Sequence, residues 1–299
     1  MKTVLVTGAD GFTGRYIVKQ LKQQQGFKVV SLGVTSVSDA DESIICDLTD
    51  KKAVQNAISS VAPGWVIHLA AISFVAHDNI DAIYQVNLLG TRNLLEALAQ
   101  LNNKPDAVLL ASSANVYGNV ISEVVTESAK IAPANDYGVS KAAMEYVAQL
   151  WTNKLPIIIT RPFNYTGVGQ EKRFLIPKII DHFRRKAPVI ELGNIDVERE
   201  FGDVRTVCHI YQKLLQHPEA VGKTFNICSG FAHSLRDIIM TMEELAGYQI
   251  KVEINPDFVR ENEIKRLVGD NDLLCSTIGQ QLFPALEETL RWMYEGQAS

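Results

Sequence analysis

The 299-residue chain is 46% hydrophobic and carries a formal net charge of −5, which suits a large buried core and two lobes sharing one interior. No run of Lys or Arg breaks the acidic balance, so a nucleic-acid or membrane surface is not indicated, and bound anions must be held by single, placed arginines. The longest apolar runs fall far short of the ~18 residues of a membrane span.

The opening string MKTVLVTGADG already reads as strand and turn. That leaves no room for a signal peptide and makes a cytoplasmic location the expectation. Cys46, Cys208, Cys228 and Cys275 are scattered without a CxxC pair, and no His pair has ligand spacing. Free thiols and no metal site are therefore expected.

Thr3–Thr7 is a buried β-branched strand, followed by a glycine turn and an amphipathic helix to about Gln25. Phe27–Leu32 is a second strand, residues 50–60 are helical, and Trp65–Leu69 is a third strand. One long helix is predicted over 81–102, a strand at Ala107–Ser112, a helix over 136–153 and a strand at Pro156–Thr160. Strands alternating with helices at these lengths define an α/β protein with a doubly wound parallel sheet.

After Arg161 the pattern changes, with Pro162, Pro177 and Pro188 and a helix near 174–186. Residues 204–216 read as helix and Lys223–Ile227 as a strand returning to the sheet. Ser234 caps a helix with Asp237 reaching back, a strand follows at 250–254, and Pro284 opens a last helix. These changes put a lobe boundary near 165: a first lobe over 1–165, with parts of 203–228 returning to it, and a smaller α/β lobe over 166–299.

Gly8, Gly11 and Gly14 lie between the first strand and the first helix. Without a Cβ the backbone can turn sharply and approach a pyrophosphate, and the helix amino terminus offers unpaired N–H groups. Downstream, Tyr137 and Lys141 stand four apart on one helix face in the string PANDYGVSK. A Lys ammonium beside a phenol stabilises the phenolate, which suits proton exchange with a carbonyl or alcohol oxygen during hydride transfer at a nicotinamide.

The GxxGxxG spacing combined with YxxxK resembles the extended short-chain dehydrogenases/reductases, in particular the NAD-dependent epimerase/dehydratase family acting on nucleotide sugars. The resemblance extends to about residue 290 and implies a Rossmann-type cofactor lobe and a nucleotide-sugar lobe. It places Asp47 of CDLTD, with Leu48, at the adenine, and Phe12 at the glycine turn. Leu69, Ala70 and Ala71 of HLAA lie against the cofactor, and Asn87 of NLLGTRN steadies that region. Ser113 of ASSANVYG becomes the hydroxyl that completes a triad with Tyr137 and Lys141.

The string RPFNYTGVGQ resembles GDP-mannose dehydratases and GDP-4-keto-6-deoxymannose reductases. That likeness puts Ser73, Asn115, Asn164, Phe174 and Pro177 at the substrate, and Arg199 and Arg260 at its diphosphate, although Glu261 stands where such proteins usually have Pro. Ala114 and Asn115 occupy positions where the 4,6-dehydratases carry acids, so loss of water is disfavoured. With no Cys in the active-site strings, epimerisation beside the ketone is disfavoured too.

An acidic residue ending the second strand would select NAD, but that strand ends Leu32-Gly33-Val34-Thr35-Ser36. Thr35 and Ser36 are then available to a 2′-phosphate, and NADP(H) is the expected cofactor over NAD(H). The expected activity is reduction of a nucleoside-diphosphate 4-keto-6-deoxyhexose, the GDP sugar favoured. A nucleotide-sugar 4-epimerase, a dTDP- or UDP-sugar ketoreductase and a non-catalytic NADP(H) sensor are the alternatives. The helices at 81–102 and 136–153 carry apolar residues beyond one face, which sheet packing would explain; the resemblance, whose members pair these helices in a four-helix dimer seam, implies a homodimer.

Overall fold

The computed structural model describes residues 1–73, 79–120, 124–258 and 266–296. Its centre is a seven-stranded sheet built from β1 (Lys2–Thr7), β2 (Phe27–Gly33), β3 (Glu42–Ile45), β4 (Trp65–His68), β5 (Ala107–Ala111), β6 (Ile157–Pro162) and, after short strands described below, Thr224–Ile227. Every pairing is parallel. From β1 the chain runs outward to β2 and β3, then returns to place β4 on the other side of β1. The crevice at this reversal, beyond the carboxyl ends of β1 and β4, is where open α/β sheets bind ligands.

Alternation along the strands feeds two cores. Val4 and Val6 face α1 (Phe12–Lys22), while Leu5 faces α2 (Lys51–Val61). The predicted single helix over 81–102 is three pieces: α3 (Ile80–Tyr84), a π-helical turn (Gln85–Gly90) and α4 (Thr91–Gln100). The wide turn brings Asn87 inside, where it is 1% exposed, and π-turns within helices often mark functional sites. Helix α5 (Asp136–Gln149) covers the same side as α2 and α4. The edge strand β3 was not expected, because its short string ESII is half exposed and lacks a strong period.

Beyond β6 come β7 (Tyr165–Thr166), α6 (Leu175–Arg184), β8 (Val189–Leu192), β9 (Glu198–Arg199), β10 (Gly202–Asp203) and α7 (Val204–Gln216). The sheet's seventh strand is β11 (Thr224–Ile227), beside β6, and α7 packs with α1 on the face opposite α5. Then follow β12 (His233–Ser234), α8 (Leu235–Ala246), β13 (Lys251–Ile254), β14 (Arg266–Leu267), α9 (Asp272–Ile278) and α10 (Leu286–Glu295). Ser234 and Asp237 form the expected capping box on α8. Pro284 precedes α10 instead of opening it, since the Ala285 carbonyl accepts the first turn's N–H groups. A separate apolar core joins α6, α8 and α10 around Phe183, Ile238 and Leu290.

Candidate active site

The glycine loop is held closer than any other residue type would permit. Gly8 has φ +66°, and a Cβ on it would stand 2.7 Å from the Ala70 nitrogen. A Cβ on Gly14 would stand 2.1 Å from the Gly8 oxygen. Helix α1 is capped by Gly11, and no side chain accepts from its first-turn N–H groups. This cradle and the positive helix end fit a dinucleotide pyrophosphate. Phe12 does not project alone: its ring stacks on Tyr165 at 6.2 Å, and Thr13 Oγ1 lies 2.7 Å from the Tyr165 hydroxyl. The loop is thereby braced against the segment after β6.

Under the loop runs a buried polar chain. The Ala70 N–H donates to Thr7 Oγ1, which lies 2.7 Å from His68 Nδ1; His68 Nε2 lies 2.8 Å from Thr91 Oγ1, which donates to the Asn87 carbonyl. That direction of donors places the imidazole proton on Nε2. Burial, helped by the Lys141 charge, holds His68 neutral down to about pH 3. The Asn87 amide pins both ends of the site: Oδ1 accepts from the Ile72 N–H at 2.8 Å, and Nδ2 donates to the Ile72 carbonyl and to Ser140. Asp47 is exposed and accepts from Thr49 through one oxygen, and the Leu48 carbonyl accepts from Asn93.

Ser113, Tyr137 and Lys141 are brought together, all buried, at the carboxyl end of β5. Asn135 caps α5 by accepting from the Gly138 N–H at 2.8 Å, which fixes the turn on which Tyr137 sits. Ser113 Oγ accepts from the Asn115 N–H at 3.2 Å and from Asn115 Nδ2 at 3.1 Å. The lowered phenol expected from a neighbouring ammonium is not the balance found. Burial pushes the Tyr137 phenol up, and the group pulling it down is the Ser113 hydroxyl. Lys141 Nζ donates to the Ala111 carbonyl at 2.7 Å, and burial lowers its ammonium to about 8 against the pull of Glu145.

Glu145 went unnoticed in the sequence, although it continues the Tyr137 and Lys141 series by four more residues on α5. It pairs with Arg161 of β6 at 2.6 Å and accepts from Ser112, the neighbour of Ser113. Glu200 was missed as well. Its buried carboxylate accepts from the N–H groups of Gly269, Ser229 and Gly230 and from the Ser229 hydroxyl, gathering three strands' ends at one point. One acid among the three of the string EREFGD gives no sequence signal of this.

Asn164, Glu200, Cys228 and Ser229 line one small cavity with Tyr165. The Asn164 carbonyl accepts from the Gly202 N–H, leaving its exposed side chain for other contacts. Phe174 caps α6, with the Arg173 guanidinium 5.5 Å from its ring centre, and Pro177 is buried in that helix. Arg199 lies on β9 with Nη1 donating to the Glu198 carbonyl, and Ser73 is exposed beyond β4. Arg260 lies outside the described residues. Among the described residues no group of three or more His, Cys, Asp or Glu side chains is placed to hold a metal, and no helix is long and apolar enough to cross a membrane.

A seven-stranded parallel sheet with this loop and this Ser–Tyr–Lys cluster defines an NAD(P)-binding Rossmann-fold oxidoreductase. The chain belongs to the NAD dependent epimerase/dehydratase family, whose model matches residues 4–228. It is 33% identical over 98% of its length to GDP-6-deoxy-D-talose 4-dehydrogenase of Aggregatibacter actinomycetemcomitans, covering 97% of that protein. Among solved structures, a proposed epimerase from Burkholderia cenocepacia J2315 shares 46% identity with a TM-score of 0.92, over 98% of this chain and 97% of that one. MoeE5, solved with UDP-glucose and NAD, shares 26% identity with a TM-score of 0.88, over 98% of this chain and 97% of that one.

These relatives correct the expectation of NADP(H). MoeE5 holds NAD in two complexes. RMD from Pseudomonas aeruginosa, 29% identical, is complexed with NADPH, but bound NAD is the commoner case among the similar structures. The physical reason lies at Thr35. Its hydroxyl already donates to the Asp10 carboxylate, so it is not offered to a phosphate, and a negative charge stands where the 2′-phosphate was expected.

Proposed function

We propose that this protein carries out NAD-dependent oxidation and reduction at carbon 4 of a nucleoside-diphosphate hexose, with 4-epimerisation as the net outcome. The observation that carries the chemistry is the buried Ser113–Tyr137–Lys141 cluster beside the glycine loop. When bound, a nicotinamide cofactor supplies or accepts the hydride. Tyr137 moves the proton at the oxygen on carbon 4, and Ser113 holds that oxygen by donating to it. Lys141, ammonium below about pH 8, is proposed to carry positive charge on the same face of α5 as Tyr137. Ala114 and Asn115 supply no acid or base for elimination. UDP-glucose 4-epimerases recur among the relatives, as in Mycoplasma genitalium at 26% identity over 85% of this chain. Arg199 and Asn164 are proposed to meet the diphosphate and sugar.

A second reading is the reduction of a GDP-linked 4-keto-6-deoxyhexose. The match to GDP-6-deoxy-D-talose 4-dehydrogenase along nearly the whole chain favours it. Counting cofactor separates the two. An epimerase converts UDP-glucose or a GDP-hexose to its 4-epimer with no net NADH formed, whereas a reductase consumes one reduced cofactor per turnover of GDP-4-keto-6-deoxymannose. Absence of both reactions would contradict the proposal.

The proposed assembly is a homodimer across α5. Val139, Tyr146 and Leu150 form an exposed apolar stripe on that helix, with Leu89 of the adjoining π-turn also exposed. Leu150 is 78% and Tyr146 56% exposed, unusual for large apolar groups on one helix face.

A further inference from the structure

Asp10 lies between the first two glycines of the loop, yet its carboxylate belongs spatially to the end of β2. The Thr35 hydroxyl donates to Oδ2, and Oδ1 lies 3.9 Å from where a Cβ on Gly33 would stand. In dinucleotide-binding sheets this strand end faces the adenine ribose, and an acid there hydrogen-bonds its 2′-hydroxyl. Residues 33–38, GVTSVS, carry no acid of their own. They carry no cation either, and the nearest chain beyond them adds Asp39 and Asp41. Of the three cations on α1, Arg15, Lys19 and Lys22, the last is engaged by Asp41. Arg15 of the same helix points to the Gly169 carbonyl.

We infer that Asp10, reaching over from the glycine loop and oriented by Thr35, is the residue that selects NAD(H) over NADP(H) in this protein. The inference rests on the proposed use of NAD, and adds the residue responsible. The carboxylate accepts from the ribose hydroxyls of NAD. A 2′-phosphate, with about −1.5 to −2 charge at neutral pH, meets that carboxylate, and the loop 33–38 beside it carries no cation to offset the repulsion. Because the Thr35 proton is committed to Oδ2, Thr35 reinforces this selection.

Equilibrium binding of NAD+ and NADP+, measured by calorimetry on the full chain, tests this without reference to turnover. The unaltered protein should bind NAD+ at least about tenfold more tightly than NADP+, the ratio expected from roughly one unscreened charge contact. Asp10→Asn keeps an acceptor for Thr35 and removes only the charge. It should raise NADP+ affinity and narrow the ratio to within about threefold, and adding Thr35→Arg should invert it. In the unaltered protein the same preference should shrink as salt is raised to about 1 M, where the Debye length is about 3 Å. That readout needs no variant to fold. A preference for NAD+ that neither Asp10→Asn nor salt alters would overturn the role of Asp10 alone. Tighter binding of NADP+ by the unaltered protein would overturn the reading of NAD use itself.

Discussion

Glu145 and Arg161 form a fully paired, buried ion pair directly behind the proposed catalytic serine. The guanidinium meets both carboxylate oxygens, with Nη2 to Oε2 at 2.6 Å and Nε to Oε1 at 3.0 Å. The same Arg161 donates to the Tyr117 hydroxyl and the Glu127 carbonyl, and Tyr117 donates to Asn226 of β11. Three adjacent elements, α5, β6 and β11, are thus registered against one another through charge-assisted bonds. Glu145→Gln would leave a buried guanidinium without its counter-charge. It should cost about 3–5 kcal/mol in urea unfolding, and the double change Glu145→Gln with Arg161→Met should recover much of the loss. Equal losses in the single and double variants would contradict the pairing as the source.

Asn115 donates twice to Ser113 Oγ, which turns the serine's own proton away from the asparagine and towards the Tyr137 phenol, where the reacting oxygen would sit. Asn115→Asp reverses one of those bonds, because a carboxylate can only accept. Turnover at neutral pH should fall by about 10²-fold, the scale of losing an oriented hydroxyl donor. Activity should recover partly as pH is lowered into the carboxyl range, where the acid again donates. A pH profile parallel to that of the unaltered protein would refute this account of the asparagine.

His68 links acid stability to the cofactor loop. Its folded pKa of about 3 lies far below the ordinary value of 6.5, so the unfolded chain binds the extra proton first. The stability from the neutral imidazole is complete above about pH 6.5 and is lost as pH falls towards 3. Melting temperatures should decline steeply over that window. His68→Gln, less stable at neutral pH through loss of the paired threonine contacts, should show a shallower decline. Identical slopes would assign the acid sensitivity elsewhere.

Much of this was legible in the residues. Parallel strands, the glycine turn and the Tyr–Lys spacing are local patterns, and a period of two or of 3.6 residues reports them directly. The π-turn at Gln85–Gly90 was not legible, since one inserted residue leaves the apolar period of a helix nearly intact while rotating Asn87 inward. Glu145 and Glu200 looked like ordinary acids because their partners lie far off in sequence: Glu145 meets Arg161, and Glu200 meets Ser229 and Gly269. The error over Thr35 has the same origin. A threonine at the end of β2 reads as a free donor until Asp10, 25 residues earlier, is seen beside it.

The α5 stripe predicts an assembly that breaks without harming the fold. Tyr146→Glu with Leu150→Glu places two charges on an exposed apolar face, so the monomer's core is untouched. Light scattering should show the dimer converted to monomer, with the circular dichroism spectrum unchanged. A variant that keeps the mass of a dimer would exclude this face as the seam.

The central claim is hydride transfer at carbon 4 with Tyr137 moving the proton, and deuterium at that carbon tests it most directly. UDP- and GDP-hexoses labelled with deuterium at carbon 4 are offered with NAD+ to the unaltered protein and to Tyr137→Phe. The unaltered protein should break the labelled bond with a primary isotope effect and pass the label to the nicotinamide or back to carbon 4. Tyr137→Phe should bind the same nucleotide sugars and lose about 10²–10⁴-fold in rate. Conversion that leaves the bond at carbon 4 untouched, or that proceeds undiminished in Tyr137→Phe, would contradict the account.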